Sequence, residues 1–400
     1  MRLRTLFLLF ILASPAAAQD STITLWKREV INSAKLKEQR PIFVATPEGY
    51  RGGNDRHGVL IILDAEDRPQ FNLAVANVAF LASRGAIPSL IVVGIPNGKD
   101  RTRDLAPTPP PERVKNFPTA GGAGAFADFI VDEVVPHVRS KYRTLPPLIL
   151  AGHSFGGLLA LEVASKKPGA FIGVIAMSPS LWWDTTAIVR YSDAVAKAEK
   201  TQRLFVTSGG LEPDIAVTTK GFSQRLDSLK PAFAAFQHRY YAEDSHGLTP
   251  APSLVDGLRF IFEPISITKL PIAMLGPGTD SAAAMNAFIE SKRRYAIGAR
   301  SLGLAEKFPE SETNQLGYAV LQITKHPALA VWLFRQNAEL YPESANVYDS
   351  LGDGLLAMGD SAAAEVQFRR AVTVATRTKH RVLEESRKKL KALEAARKKP

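Results

Sequence analysis

A serine flanked by glycines is the residue of this sequence whose surroundings best suit covalent chemistry. Ser154 lies within residues 152–156, which read G-H-S-F-G, after the apolar run 148–151 and before a helical pattern from Leu158. This order predicts a strand, a sharp turn and a helix, with the serine hydroxyl exposed at the turn. The glycines allow the close approach of strand and helix that such a turn requires. We therefore expect Ser154 to be a nucleophile beside the free N–H groups of a helix N-terminus.

A serine nucleophile needs a general base to take its proton, and histidine is the usual choice. His246 lies in the loop after the last predicted strand, and Gly247 beside it frees the backbone. His238 falls inside that strand, whereas His326 and His380 fall in a C-terminal helical region. We therefore expect His246 to be the base.

A third group, an acid, would fix the tautomer of the base and stabilise its protonated form. It is expected in the loop after the preceding strand, which makes Glu212 the first candidate and Asp214 the alternative. Asp184, one strand earlier, is the third candidate. The order along the chain is then Ser, acid, His.

An oxyanion formed at Ser154 would need two backbone N–H donors. The N–H of Phe155 is one, and the loop after the third strand offers the second, at Glu66 with Ala65 as the alternative. Substrate contacts are expected from the aromatic and cationic residues of neighbouring loops, which are Trp182, Trp183, Arg101 and Arg103. For the tryptophan pair we expect one ring on the substrate and one in the core. The arginines meet an anionic substrate or pair with carboxylates.

The elements that position these residues alternate between strands and helices. Segments that predict strands, beyond an opening hairpin over 22–31 and 42–50, occur at 59–63, 90–95, 148–151, 171–177, 203–207 and 236–241. Helical patterns such as 73–81 and 121–142 separate them. This alternation predicts an α/β fold with a mostly parallel sheet. Each candidate residue follows the carboxyl end of a strand, where ligands bind in such sheets.

Several segments in this order resemble the putative-esterase branch of the α/β-hydrolase superfamily. That branch includes siderophore (enterobactin) esterases, feruloyl and acetyl-xylan esterases, S-formylglutathione hydrolase and the antigen 85 acyltransferases. The resemblance covers about residues 22–263 and is carried by residues 60–64, 92–95, 101–104, 151–157, 178–183 and 245–247. It implies the α/β-hydrolase fold and ester chemistry at Ser154. Ala65 departs from the glycine usual in the family, and some relatives use a Ser-His dyad, which leaves the acid open.

The pattern changes after the expected hydrolase domain, residues 19–263. Residues 264–280 are rich in proline and glycine and predict a linker. Residues 281–376 predict an all-α domain, and two segments that align at a period near 34 resemble tetratricopeptide repeats. Such repeats offer a protein or peptide surface, or simply stabilise the enzyme. Residues 377–400 predict a basic helix or tail that caps the repeats or contacts an anionic surface.

The N-terminal residues, the cysteine content and the charge constrain the location and the partners of the protein. Residues 1–18 combine a charged start, an apolar run and a small-residue cleavage site, and so predict a signal peptide and a periplasmic or secreted protein. The chain has no cysteine, which excludes thiolate metal sites and a cysteine nucleophile. The net charge is +11, but residues 377–400 carry +7 of it and residues 19–376 about +2. We expect no nucleic-acid partner, no transmembrane span, no metal and no cofactor.

Together these patterns predict an exported serine esterase that forms an acyl-enzyme. The alternatives are an acyltransferase of the antigen 85 type, or an interaction protein whose repeats bind a partner while the hydrolase domain is vestigial. The sequence leaves open whether the ester is a siderophore lactone, a sugar acetate, a feruloyl ester or a short acyl ester.

Overall fold

The structure, a computed structural model, describes most of the chain. The described residues are 24–52, 55–198, 203–231, 235–274, 276, 278, 280–378, 380 and 382–397. The predicted signal peptide, residues 1–18, lies outside them.

Within the described residues, eight strands form one sheet. They are β1 (Lys27–Ser33), β2 (Glu38–Ala45), β3 (His57–Leu63), β4 (Leu90–Ile95), β5 (Thr144–His153), β6 (Gly173–Met177), β7 (Arg203–Gly209) and β8 (Ala235–Tyr241). The spatial order is β1-β2-β4-β3-β5-β6-β7-β8. The β1–β2 and β2–β4 pairs are antiparallel and the other pairs are parallel. The predicted α/β fold with a mostly parallel sheet is therefore confirmed.

The position of the site follows from this strand order. The chain runs from β3 to β4 on one side and then returns to form β5 on the other side of β3. Ile62 of β3 pairs with Ala151 of β5, so the residues that follow these two strands emerge side by side. A crevice opens where a parallel sheet reverses its direction of growth. Glu66 and Ser154 follow the two strands that border this crevice.

Helices cover both faces of the sheet. They are α1 (Arg68–Ser83), α2 (Arg101–Leu105), α3 (Ala123–Phe129), α4 (Val135–Lys141), α5 (Phe155–Lys166), α6 (Ala187–Ala196), α7 (Pro213–Leu229) and α8 (Pro250–Ile261). One core lies between the sheet and α3–α7. The other lies under α1 and α8. β3 and β4 are buried on both faces, which is why they read as continuous apolar runs.

The helix predicted over 121–142 is present but irregular. A π-helical turn, Ile130–Val134, separates α3 from α4. Pro136 follows this turn and has no N–H with which to continue the α-helical ladder. The apolar face is buried as the pattern predicts, since Phe126, Phe129 and Ile130 have no exposed surface.

The proline-rich segment interpreted as a linker is packed against the hydrolase region. It forms three 3-10 turns, Glu263–Ile265, Ile267–Lys269 and Pro271–Met274. Ile265 and Leu270 are buried in the same core as α1. The N–H of Ile267 donates to the carbonyl of Gly85 at 3.0 Å. The domain boundaries themselves stay a prediction.

Among its described residues, the C-terminal region contains helices and connecting loops and no strand. Its helices are α9 (Ser281–Ser301), α10 (Glu310–Gln322), α11 (Pro327–Leu340), α12 (Ala345–Ala357), α13 (Ser361–Thr378) and α14 (Leu383–Arg397). The same kind of close contact occurs in two helix pairs. Gly317 lies against the ring of Phe334 in the first pair, and Gly352 lies against the ring of Phe368 in the second. The core under α1 and α8 continues into α9–α13, so the two regions share apolar packing. None of the described helices is both long and apolar enough to cross a bilayer.

We predict that Gly352→Ala destabilises the protein through this repeated contact. A Cβ on Gly352 would lie 2.6 Å from Cε1 of Phe368, so the buried ring must move. We expect a loss of about 1–3 kcal/mol of unfolding free energy, measured by urea denaturation. The matched control is Gly221→Ala on α7, where the nearest atom to a Cβ is 3.5 Å away. The control should be neutral or stabilising by about 0.5–1 kcal/mol. A Gly352→Ala protein as stable as the control would contradict this packing.

Candidate functional site

The site is built around the turn between β5 and α5. Ser154 connects them with φ 59° and ψ −117°, a strained conformation for a residue with a side chain. A Cβ on Gly152 would collide with the backbone of Gly156, so glycine is required there. The N–H of Ser154 donates to the carbonyl of Met177 on β6 at 2.9 Å. The predicted strand, turn and helix are therefore present, with Ser154 at the turn.

The structure brings His246 and Glu212 to the same edge of the sheet. Nδ1 of His246 lies 2.5 Å from Oε2 of Glu212. The His246 ring centroid lies 4.3 Å from that of His153, the residue before Ser154. The hydroxyl of Ser154 itself lies 3.3 Å from that of Ser180. Nucleophile, base and acid candidates thus come from the loops after β5, β8 and β7.

Glu212 is held by a buried polar network. Its Oε1 accepts hydrogen bonds from the hydroxyl of Ser178 at 2.5 Å and from the N–H of Gly209. The hydroxyl of Thr249 lies 2.9 Å from that of Ser178. Burial alone would raise the pKa of Glu212, but the hydrogen bonds from His246, Ser178 and Gly209 outweigh it and lower the pKa. The carboxylate therefore stays ionised at neutral pH and can accept from the imidazole.

The other two acids are placed differently. Asp214 is exposed in the first turn of α7. Asp184 accepts from the N–H of Thr186 at 2.7 Å and pairs with Arg190 at 2.9 Å. Of the three candidates, Glu212 is the one that contacts His246.

The N–H groups expected to form the oxyanion hole differ in availability. The N–H of Ala65 donates to the carbonyl of Ile95 at 3.2 Å, so the alternative donor is occupied. Among the described residues, the N–H groups of Phe155 and Glu66 have no protein acceptor. They follow β5 and β3, which are adjacent strands.

The arginines of the loop after β4 are paired with carboxylates. Arg101 donates to Asp64 through Nε at 2.6 Å and Nη2 at 3.0 Å. Arg103 pairs with Glu38 at 2.7 Å and also contacts Asp104. Of the two alternatives for Arg101, an anionic substrate or a carboxylate partner, its charge is thus directed at the carboxylate of Asp64.

The two tryptophans have different environments. Trp183 is fully buried in an aromatic cluster, with its ring 5.0 Å from Phe117 and 5.3 Å from Phe155. Because a ring without exposed surface cannot meet a ligand, Trp183 is the core member of the pair and has no contact surface for substrate. Trp182 is partly exposed, and Arg113 lies 4.7 Å above its ring. Trp182 remains the candidate for a substrate contact.

Sequence reasoning missed the polar residues that contact the triad candidates or the turn of Glu66. Ser178, Ser180, Thr249 and Asn97 were assigned no role. Ser178 and Ser180 lie just after the end of β6, and Thr249 lies three residues after His246. Their positions after strand ends were the signal in the sequence that could have indicated a role in the site. The described residues contain no group of histidines and carboxylates placed to hold a metal ion.

His153 makes the stability of the protein depend on pH. Burial, with the nearby charges of His246 and Arg101, lowers its pKa from 6.5 to about 3. Between these values the unfolded chain binds a proton that the folded chain does not, so stability falls as the pH falls. We predict that His153→Asn loses less unfolding free energy than the wild type between pH 6.5 and about 4, measured by urea denaturation. Equal losses in both proteins would contradict a His153 that stays neutral in the folded protein.

Comparison with known proteins places the chain in an esterase family. The family model described as Putative esterase matches residues 33–245. The siderophore triacetylfusarinine C esterase of Aspergillus fumigatus is 40% identical over 82 residues, which cover 20% of this chain and 28% of that protein. The ferri-bacillibactin esterase BesA of Bacillus subtilis is 32% identical over 145 residues, 32% of this chain and 50% of that protein. The chain therefore spans half or less of the length of these curated relatives.

A solved structure extends the likeness over more of the chain. The IroE-like serine hydrolase from Shewanella oneidensis superposes with a TM-score of 0.65 and 28% sequence identity. The match covers 78% of this chain and 99% of that one. The chain thus shares the architecture of a serine hydrolase beyond the residues that the family model matches.

Proposed function

We propose, because the chain belongs to the putative esterase family, that it hydrolyses carboxylic esters through an acyl-enzyme on Ser154. The observation that carries the proposal is the contact of His246 with the buried Glu212, 2.5 Å long, beside the strained turn at Ser154. A buried carboxylate bound to Nδ1 leaves Nε2 of the imidazole free to accept the serine proton.

In the proposed reaction, Ser154 Oγ turns from Ser180 towards His246 and attacks the ester carbonyl carbon. His246 Nε2 takes the hydroxyl proton, and the N–H groups of Phe155 and Glu66 bind the oxyanion. As the tetrahedral intermediate collapses, the C–O bond to the alcohol breaks and the imidazolium protonates the leaving oxygen. Water, activated by the same imidazole, then releases the acid and restores Ser154.

The proposed substrate is a siderophore lactone or an ester with an aromatic acyl group such as feruloyl. The first choice rests on the two curated relatives, which are named as a siderophore triacetylfusarinine C esterase and a ferri-bacillibactin esterase. The second rests on Trp182 with Phe117 and Phe155, whose rings lie within 6.3 Å of it beside the nucleophile. Planar acyl groups stack well on such surfaces.

We also propose that residues 1–18 direct export to the periplasm or medium and that the repeats bind a protein or peptide. The equivalent contacts of Gly317 and Gly352 with phenylalanine rings support a repeat. On α14, Leu390 and Leu393 pack against the core, and Lys389 pairs with Asp349 at 2.6 Å. These contacts favour a capping role for the basic helix.

The proposal is tested by assaying the full mature chain on ferri-bacillibactin, triacetylfusarinine C and p-nitrophenyl esters from acetate to decanoate. We expect release of acid and alcohol from at least one of these classes. Product analysis with an added alcohol separates hydrolysis from acyl transfer, since a transferase gives the new ester. A protein with no turnover on any ester, although folded, would contradict the proposal and favour a vestigial hydrolase domain.

We predict that Trp182→Ala selectively weakens hydrolysis of aromatic esters. Loss of the partly exposed ring removes a stacking surface worth about 0.5–1.5 kcal/mol, or roughly 2- to 13-fold in kcat/KM. The measurement compares p-nitrophenyl benzoate with p-nitrophenyl acetate, which has no aromatic acyl ring to stack and serves as the control. An equal loss on both esters would show that Trp182 acts only through packing.

A further inference from the structure

A chain of polar contacts joins the turn that carries Glu66 to the turn that carries Ser154. It begins at Asn97, which follows β4. The N–H of Asn97 donates to Oε2 of Glu66 at 2.9 Å, and its Nδ2 donates to Oε1 at 2.6 Å. The same Nδ2 lies 2.5 Å from Oδ1 of Asp64. Asn97 therefore fixes both carboxylates of the turn after β3.

Arg101 continues this chain to the nucleophile. Its guanidinium binds both oxygens of Asp64, at 2.6 and 3.0 Å, and Nη2 also donates to the carbonyl of His153 at 3.3 Å. Bidentate pairs of this kind restrict geometry more than a single hydrogen bond does. Arg101 thus ties the β3 turn directly to the residue before Ser154.

The charge balance at this point depends on Arg101. The Asp64 carboxylate lies at the start of α5, where a Cβ on Gly156 would be 2.8 Å from its Oδ2. Its side chain is only 11% exposed, so water screens it weakly. A negative charge here opposes the oxyanion that forms at the same helix end. The paired guanidinium cancels that charge.

We propose that Arg101 is a positioning residue of the oxyanion hole and not a substrate anchor. It neutralises Asp64 and, with Asn97, holds the N–H of Glu66 at a fixed distance from that of Phe155. This inference rests on the proposed function, because it assigns a role within the same ester hydrolysis. A substrate anchor would bind the anionic ester in its ground state, whereas a positioning residue of the oxyanion hole stabilises the transition state.

The test uses the full mature chain with four variants, Arg101→Gln, Arg101→Lys, Asp64→Asn and the double Arg101→Gln/Asp64→Asn. On neutral p-nitrophenyl acetate we expect Arg101→Gln to lower kcat by about 10- to 100-fold with KM within about 3-fold. The kcat of the double variant should be at least about 5-fold higher than that of Arg101→Gln, because the uncompensated carboxylate is gone. Arg101→Lys keeps the positive charge, so its kcat should lie between those of the wild type and Arg101→Gln.

Two further measurements separate positioning from a merely structural effect. The inhibition constant of phenylboronic acid, which forms a tetrahedral adduct with the serine, should weaken in Arg101→Gln in step with kcat/KM. Asn97→Ala, which leaves Arg101 intact, should lower kcat about 10-fold and gives an independent test if an Arg101 variant fails to fold. The matched control is Lys99→Gln, an exposed cation of the same loop, which should keep wild-type kcat.

The inference is overturned if Arg101→Gln and Asn97→Ala keep wild-type kcat, or if the double variant is no faster than Arg101→Gln. It is also overturned if Arg101→Gln raises KM only for anionic esters, which would make Arg101 a substrate anchor. These comparisons apply when the wild type hydrolyses the ester and Ser154→Ala does not. Retention of turnover in Ser154→Ala would instead remove the proposed function itself.

Discussion

Replacing Ser154 with alanine is expected to lower kcat for any substrate ester by about 10⁴- to 10⁶-fold. The variant should keep the backbone turn, since Ser154 already carries a Cβ at φ 59° and alanine adds no further strain. What is lost is the oxygen that forms the acyl-enzyme, and neither His246 nor the N–H groups of the oxyanion hole can supply it. The measurement is steady-state hydrolysis by wild type and variant at equal concentration.

The control for Ser154→Ala lies on the adjoining helix. Ser165 of α5 donates to the carbonyl of Leu161 at 2.7 Å and has no contact with His246. Ser165→Ala should hydrolyse the same ester within about 2-fold of the wild type and give the same circular dichroism spectrum. Turnover by Ser154→Ala above roughly one-hundredth of wild type would point to a different nucleophile.

Replacing Glu212 with glutamine is expected to lower kcat by about 10²- to 10⁴-fold. The carboxylate accepts from Ser178, from Gly209 and from His246. A glutamine amide has one acceptor and one donor end, so it cannot accept from all three. We expect the amide to donate to Nδ1 of His246, which places the imidazole proton on Nε2 and prevents it from accepting the serine proton.

Asp214→Asn provides the matched control for Glu212→Gln. Asp214 was the alternative acid, and it lies exposed two residues away. Its amide variant should keep kcat within about 2-fold. A large loss in Asp214→Asn combined with wild-type activity in Glu212→Gln would exchange the two roles. Full activity in both variants would indicate that a Ser-His dyad suffices.

The elements and the positions at their ends were predictable because their signals are local. The strand segments from β3 to β8 and the motif around Ser154 each lie within short stretches of the chain. His246 and Glu212 follow from them by their places after the last two strands. The structure extends α1 to Arg68–Ser83, beyond the predicted 73–81, because Asp67 caps it by accepting from the N–H of Gln70.

The contacts between loops were not predictable, because they join residues far apart in the chain. Asp64 and Arg101 are 37 positions apart, and Ser178 and Thr249 are 71 apart. Nothing local distinguishes an arginine that pairs with a carboxylate from one that meets a substrate. The same holds for Trp182 and Trp183, since both rings contact Phe117 from another loop.

The central claim is that Ser154 forms a covalent intermediate, and labelling with a fluorophosphonate probe tests it most directly. Intact mass spectrometry of the full mature chain should show one adduct per molecule, and peptide mapping should place it on Ser154. His246→Ala should label much more slowly, because the base that activates the hydroxyl is gone. An unlabelled protein, or an adduct on another serine while Ser154 stays free, would contradict the account.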